Sequence, residues 1–108
     1  MQNEKSITEC DLAYAVCMIG GRWKILILGK LEQGKLRFSE LRNQIGGITE
    51  RMLTLQLREL EKEGLVKRTV YAEVPPRVDY ELTEIANDLI PIWRHLESWG
   101  AKHKSLLK

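Results

Sequence analysis

Residues 68–80 read Arg68-Thr69-Val70-Tyr71-Ala72-Glu73-Val74-Pro75-Pro76-Arg77-Val78-Asp79-Tyr80, and this stretch decides the fold. Apolar and polar residues alternate through Val66–Tyr71 and again through Val78–Leu82, which predicts two short antiparallel strands. Between them stand two prolines and an arginine. Each proline fixes φ and restricts the residue before it, so the hairpin tip is stiff. An arginine on a stiff, exposed hairpin suits insertion beside a phosphate backbone or into a minor groove. A helix with an arginine-bearing outer face comes directly before it. Helix followed by basic hairpin is the layout of a winged helix-turn-helix.

Working back from the hairpin, Thr49 is a good N-cap for a helix reaching about Glu63 and stopping at Gly64. At about 100° per residue, Leu53, Leu57 and Leu60 fall on one side of it. Arg51, Thr54, Leu55, Arg58 and Lys62 fall on the other. Arginine pairs bidentately with guanine, a hydroxyl bonds bases or phosphates, and an apolar side chain packs on a thymine methyl. Residues at the start of a reading helix meet base edges, so Arg51, Thr54 and Leu55 are the expected base contacts, with Thr49 beside them. Arg58 and Lys62 are expected on phosphates, which position a protein without specifying sequence. Gly46-Gly47 separates this helix from one expected to be capped by Ser39 and to run to about Ile45. Before that, Lys35-Leu36-Arg37 fits a brief strand closing the sheet.

The remaining chain frames this centre. Residues 1–9 form a polar arm. Leu12, Ala13, Val16, Cys17 and Ile19 mark a short helix interrupted at Gly20-Gly21. Trp23–Leu31 is apolar nearly all round and should be a buried central helix, with Cys17 also in the core. A last helix starts near Thr83, is expected to kink at Pro91, and gives way to a basic tail over residues 101–108. Its Leu89, Ile92, Trp93, Leu96 and Trp99 offer more apolar surface than one small core absorbs. A two-fold operator is read by a two-fold protein. The expected remedy is therefore a homodimer in which Trp93, Leu96 and Trp99 meet the first helix, with Leu12 and Val16, of a second copy.

At 108 residues the chain is one domain over residues 1–108, of α+β class and mostly α, with a small antiparallel sheet and terminal dimerisation helices. Its net charge of +2 says little, but residues 35–77 hold nine basic against six acidic side chains, a net +3 where the reading surface lies. No apolar run matches a membrane span and the N-terminus lacks a signal-peptide core, so a cytoplasmic protein without membrane partners is expected. His95 and His103 have no ligand-spaced carboxylate or cysteine, which leaves no metal site. No Gly-rich loop follows a strand, and no nucleophile stands beside a base. An enzyme, or a bound cofactor, is not expected. The rival reading is a winged helix used to bind an acidic protein partner, which predicts weak salt dependence on DNA and no sequence preference.

Several runs also resemble the HxlR-type winged-helix regulators of bacteria, relatives in architecture of the MarR group. They are Gly20-Gly21-Arg22-Trp23, Arg37-Phe38-Ser39-Glu40-Leu41-Arg42, Ile48-Thr49-Glu50-Arg51-Met52-Leu53-Thr54 and Leu57-Arg58-Glu59-Leu60-Glu61. Gly64-Leu65-Val66, Val74-Pro75-Pro76-Arg77-Val78-Asp79-Tyr80, Leu82-Thr83 and Trp99-Gly100 continue the match, which spans Cys10 to Gly100. The double-proline wing is its most specific element. The resemblance implies a homodimeric repressor or activator on small double-stranded DNA operators, open to a small-molecule or electrophile effector. In some members a cysteine near the N-terminus is a thiol switch, and carried over this makes Cys10 the sensing residue. A helix N-terminus favours a thiolate, whereas Glu9 and Asp11 on either side repel it. The plainer reading keeps Cys10 as a small packing residue near a dimer interface. Cys17 lies about 10 Å further along the helix, beyond disulfide reach within one chain. If Arg77 meets DNA directly, Arg77→Ala should flatten the salt dependence of binding by about one unit.

Overall fold

A computed structural model describes residues 10–107; the expected polar arm over residues 1–9 lies outside them. Helix α1 spans Asp11–Ile19 and α2 spans Lys24–Leu31. Strand β1 (Leu36–Arg37) leads into α3 (Phe38–Gln44), then α4 (Glu50–Lys62), then the hairpin of β2 (Val66–Tyr71) and β3 (Arg77–Leu82). A short helix α5 (Glu84–Asn87) precedes the long α6 (Ile90–Leu106). The sheet order is β1-β3-β2, all antiparallel, with Leu36 opposite Tyr80 and Arg68 opposite Tyr80 on the other side. The strand order places β3 centrally, so the brief β1 closes the hairpin into a three-stranded wing.

The core collects the apolar faces of these elements around α2. Ile27, Leu28 and Leu31 of α2 cluster with Leu41 of α3, Ile45 at its C-terminal cap, and Leu53, Leu57 and Leu60 of α4, all essentially buried. The leucine period expected for α4 is the one observed. Ile48, Leu65, Val66, Ala86 and Trp93 complete the cluster. Caps fix where helices begin. The Thr49 hydroxyl accepts the Met52 N–H at 3.0 Å, and Thr83 does the same for Ala86 while donating to the Gly64 carbonyl at 2.6 Å. Gly64 ends α4 at φ +78°, a backbone state that penalises any Cβ. Gly20 answers a different need. A Cβ there would stand 2.4 Å from the Val16 carbonyl oxygen, so the turn from α1 into α2 admits only glycine without a shift.

Several expectations are corrected. Ser39 does not cap α3; the helix begins at Phe38, and the Glu40 carboxylate accepts the Arg37 backbone N–H at 2.8 Å. Pro91 kinks nothing. It occupies the first turn of α6, where its missing N–H has no helical partner to lose, and the chain breaks between α5 and α6 instead. The tail over residues 101–107 is not loose, because α6 continues to Leu106. Cys17 is exposed, not core, on a helix of which no residue is fully buried. α2 is less uniformly buried than its composition suggests: Leu26 is 45 % exposed while Lys24 is buried. Trp93, expected at a dimer seam, is 8 % exposed and packs into the core of its own chain; its indole N–H donates to Glu32 Oε1 at 2.9 Å. Leu12, Val16, Leu96 and Trp99 remain exposed, between 53 % and 74 %.

Candidate nucleic-acid interface

Burying Leu53, Leu57 and Leu60 turns the opposite stripe of α4 to solvent. Arg51, Leu55, Arg58 and Lys62 are exposed and Thr54 is half-buried. Arg51, Thr54, Leu55 and Arg58 line one shallow concavity along the helix, as an i, i+3, i+4, i+7 stripe must. Lys62 lies beyond it at the last turn. Thr49 sits at the cap, its hydroxyl oxygen already engaged by the Met52 N–H. Among the described residues Arg51, Arg58 and Lys62 have no ion-pair partner. Leu55 is 48 % exposed among them, an apolar group half open to solvent. Glu50, the one acidic residue at the head of the stripe, is drawn off by Arg42 of α3 at 2.7 Å. The face that remains is cationic with an apolar centre.

The back of α4 is anchored by a contact absent from the sequence reading. Lys24 extends its Nζ to Glu63 at 3.1 Å and to Glu59 at 3.2 Å, tying the start of α2 to the last turns of the exposed helix. Burial alone would depress the Lys24 ammonium, but hydrogen bonds and charge from Glu63 and then Glu59 outweigh it and raise its pKa. The ammonium therefore stays charged at physiological pH, and both carboxylates keep a cationic partner.

The wing departs from expectation at its named cation. Arg77 is not free at the tip. It opens β3, its guanidinium lies 4.0 Å from the Tyr71 ring centre, and Glu73 and Asp79 stand 3.7 and 3.6 Å away. Its Nε is buried without a hydrogen-bond partner. Apart from Glu73 the tip is apolar, with Val74 fully exposed beside Pro75 and Pro76. The cation that does face α4 from the sheet is Arg68, exposed and unpaired among the described residues. Strand alternation was the signal for it. Arg68 stands two residues from the buried Val66 and so shares its side of the sheet.

An exposed cationic helix on a buried leucine face, preceded by a glycine turn and followed by a β-wing, defines a winged helix-turn-helix DNA-binding protein. The comparisons make the class specific. The model of the HxlR-like helix-turn-helix family matches residues 18–107, and the chain belongs to that family. It is similar to an HTH-type transcriptional regulator of Methanothermobacter thermautotrophicus, 54 % identical over 89 % of this chain and 73 % of that protein. Among solved structures it is similar to the redox regulator HypR in its reduced form, with TM-score 0.87 and 44 % identity over 91 % of this chain and 97 % of that one. The reduced form of the regulator YodB from Bacillus subtilis aligns with TM-score 0.75 and 35 % identity, covering 82 % of this chain and 87 % of that one. The chain is thus a DNA-binding transcriptional regulator by family, not an enzyme.

Proposed function

We propose that the protein is a cytoplasmic homodimer that binds double-stranded operators sequence-specifically and regulates transcription in response to the redox state of Cys10. The observation that carries the DNA reading is the α4 stripe, where unpaired arginines flank an exposed leucine on a helix held rigidly from behind. Arg51, Thr54 and Leu55 read base edges in the major groove, with Thr49 at the helix start. Arg58 and Lys62 hold phosphates, and the wing lies along the flanking backbone. Dimerisation is supported by α1, none of whose residues is fully buried in its own chain, and by the exposed Leu12, Val16, Leu96 and Trp99. Joining these faces gives the two-fold symmetry that a palindromic operator requires.

Cys10 is exposed at the N-cap of α1, and so stands at the edge of the proposed dimer face. That position, with the similarity to a protein named a redox regulator, supports a thiol that alters the dimer and through it DNA affinity. Fluorescence anisotropy in reducing buffer tests the reading, on DNA immediately upstream of the protein's own gene beside a scrambled duplex. Tight binding to the first alone is expected; adding diamide should then change the affinity of the wild type and leave Cys10→Ser unchanged. Equal, weak binding to both duplexes would favour a protein-interaction module over a regulator of its own promoter. A diamide response as large in Cys10→Ser as in the wild type would remove the cysteine from the mechanism.

A further inference from the structure

We propose that the concave strip between α4 and strand β2 is the seat of a single backbone phosphate, gripped by Arg58 from the helix and Arg68 from the sheet. The inference rests on the DNA-binding reading above and deepens it by assigning the cation through which the wing meets the duplex. Phe38 and Leu57 floor the strip, and Thr54, Arg58, Arg68 and Tyr80 wall it, around a space of about 360 Å³. Two guanidinium groups on different elements open onto one cleft, and neither has an ion-pair partner among the described residues. Like charges converging on one cleft, with no carboxylate in ion-pair contact with either, repel each other, and an anion shared between them removes that cost. Thr54 and Tyr80 bring hydroxyl groups to the same walls, the side chains that commonly bond phosphate oxygens beside arginine. Glu61 also lines the strip, further along α4. Its carboxylate repels a phosphate, so the occupied end is the one nearer Thr54.

Arg77 does a different job. Its charge is shared between Glu73 and Asp79 and its plane lies on Tyr71. Tyr71 and Arg77 face each other as the last cross-strand pair before the tip. The guanidinium thus clasps the two strands where the hairpin would otherwise fray, and it is a positioning residue for the wing. Moving it onto DNA would strip two carboxylates of their partner beside a polyanion. Arg68 carries no such obligation.

Anisotropy titrations on the upstream duplex, with single phosphates replaced by neutral methylphosphonates, test the assignment in wild type, Arg58→Ala and Arg68→Ala. One phosphate is expected at which neutralisation weakens the wild type about tenfold. The same replacement should have little further effect in either variant. The plot of log affinity against log salt should flatten in each arginine variant by up to about 0.9, the share of one neutralised phosphate. Arg77→Ala should weaken binding while leaving that slope unchanged, which separates a positioning role from a phosphate contact. Arg58 and Arg68 reporting on different phosphates, or Arg77→Ala flattening the slope while Arg68→Ala does not, would overturn the proposal. A wild type that binds no duplex would overturn the DNA reading along with it.

Discussion

Lys24 shows how one side chain can govern a surface it does not belong to. It opens an apolar helix, yet it is only 8 % exposed and its two acceptors lie on the far side of α4. Lys24→Met removes the cation and leaves Glu63 partly buried beside Glu59. Because Glu59 is half exposed and screened, the expected loss is about 1–3 kcal/mol rather than the full cost of a broken buried pair. Urea unfolding checks it, and an unchanged midpoint would show the tether to be idle. Glu32 makes the matching contact at the other end of α2. The Trp93 indole N–H, and then Arg94, lower its carboxyl below the ordinary glutamate range. A depressed carboxylate stabilises the fold above its unfolded pKa, near 4.3, and that contribution is lost as pH falls through the folded value. The gap in melting temperature between wild type and Glu32→Gln should therefore be widest near neutrality and close in acid. A gap independent of pH would mean that the carboxylate charge is irrelevant. Neither contact was legible in the sequence, because Lys24 and Glu63 are 39 residues apart, and Glu32 and Trp93 61. No periodicity links such distant positions.

The elements were easier to read, and for a physical reason. Leu53, Leu57 and Leu60 alternate with charged residues at a period only a helix can satisfy, so both the buried face of α4 and its exposed stripe follow from local order. The wing was legible from alternation bounded by prolines. Thr49 as a cap was legible because its hydroxyl stands three residues before the N–H it accepts, and Thr49→Ala should cost about 1 kcal/mol in the same unfolding assay. Pro91 was misread since a proline within an apolar period signals either a kink or a new first turn, and only the chain path decides. With Pro91 in the first turn of α6, Pro91→Ala should change stability by no more than about 0.5 kcal/mol. A larger loss would mean that its ring packs in a way its exposure does not suggest. Arg77 was misplaced because its partners Tyr71, Glu73 and Asp79 meet it only once the strands pair in register.

At the scale of the whole molecule, the chain is more extended than its length requires. Its radius of gyration is 15.6 Å, against about 13 Å for a compact domain of this size. α1 and α6 also carry apolar residues left without cover in one copy, among them Leu12, Val16, Ile92, Leu96 and Trp99. Trp99, stacked on His103 with ring centroids 5.0 Å apart, is 62 % exposed near the end of α6. Trp99→Asp should convert the proposed dimer to monomer in sedimentation analysis while leaving the core helices folded, since Trp99 takes no part in the core cluster. A wild type that already sediments as a monomer at micromolar concentration would remove the symmetric-operator reading. The central claim is that α4 reads base sequence, and Arg51 tests it most directly. Affinities of wild type and Arg51→Ala should be compared on the bound upstream duplex, on its single base-pair variants and on scrambled DNA. The account predicts that Arg51→Ala erases discrimination at one or two base pairs, by about 1–3 kcal/mol each, while its affinity for scrambled DNA changes little. An equal loss on every duplex would contradict it, making Arg51 a phosphate contact and leaving α4 without its assigned reader.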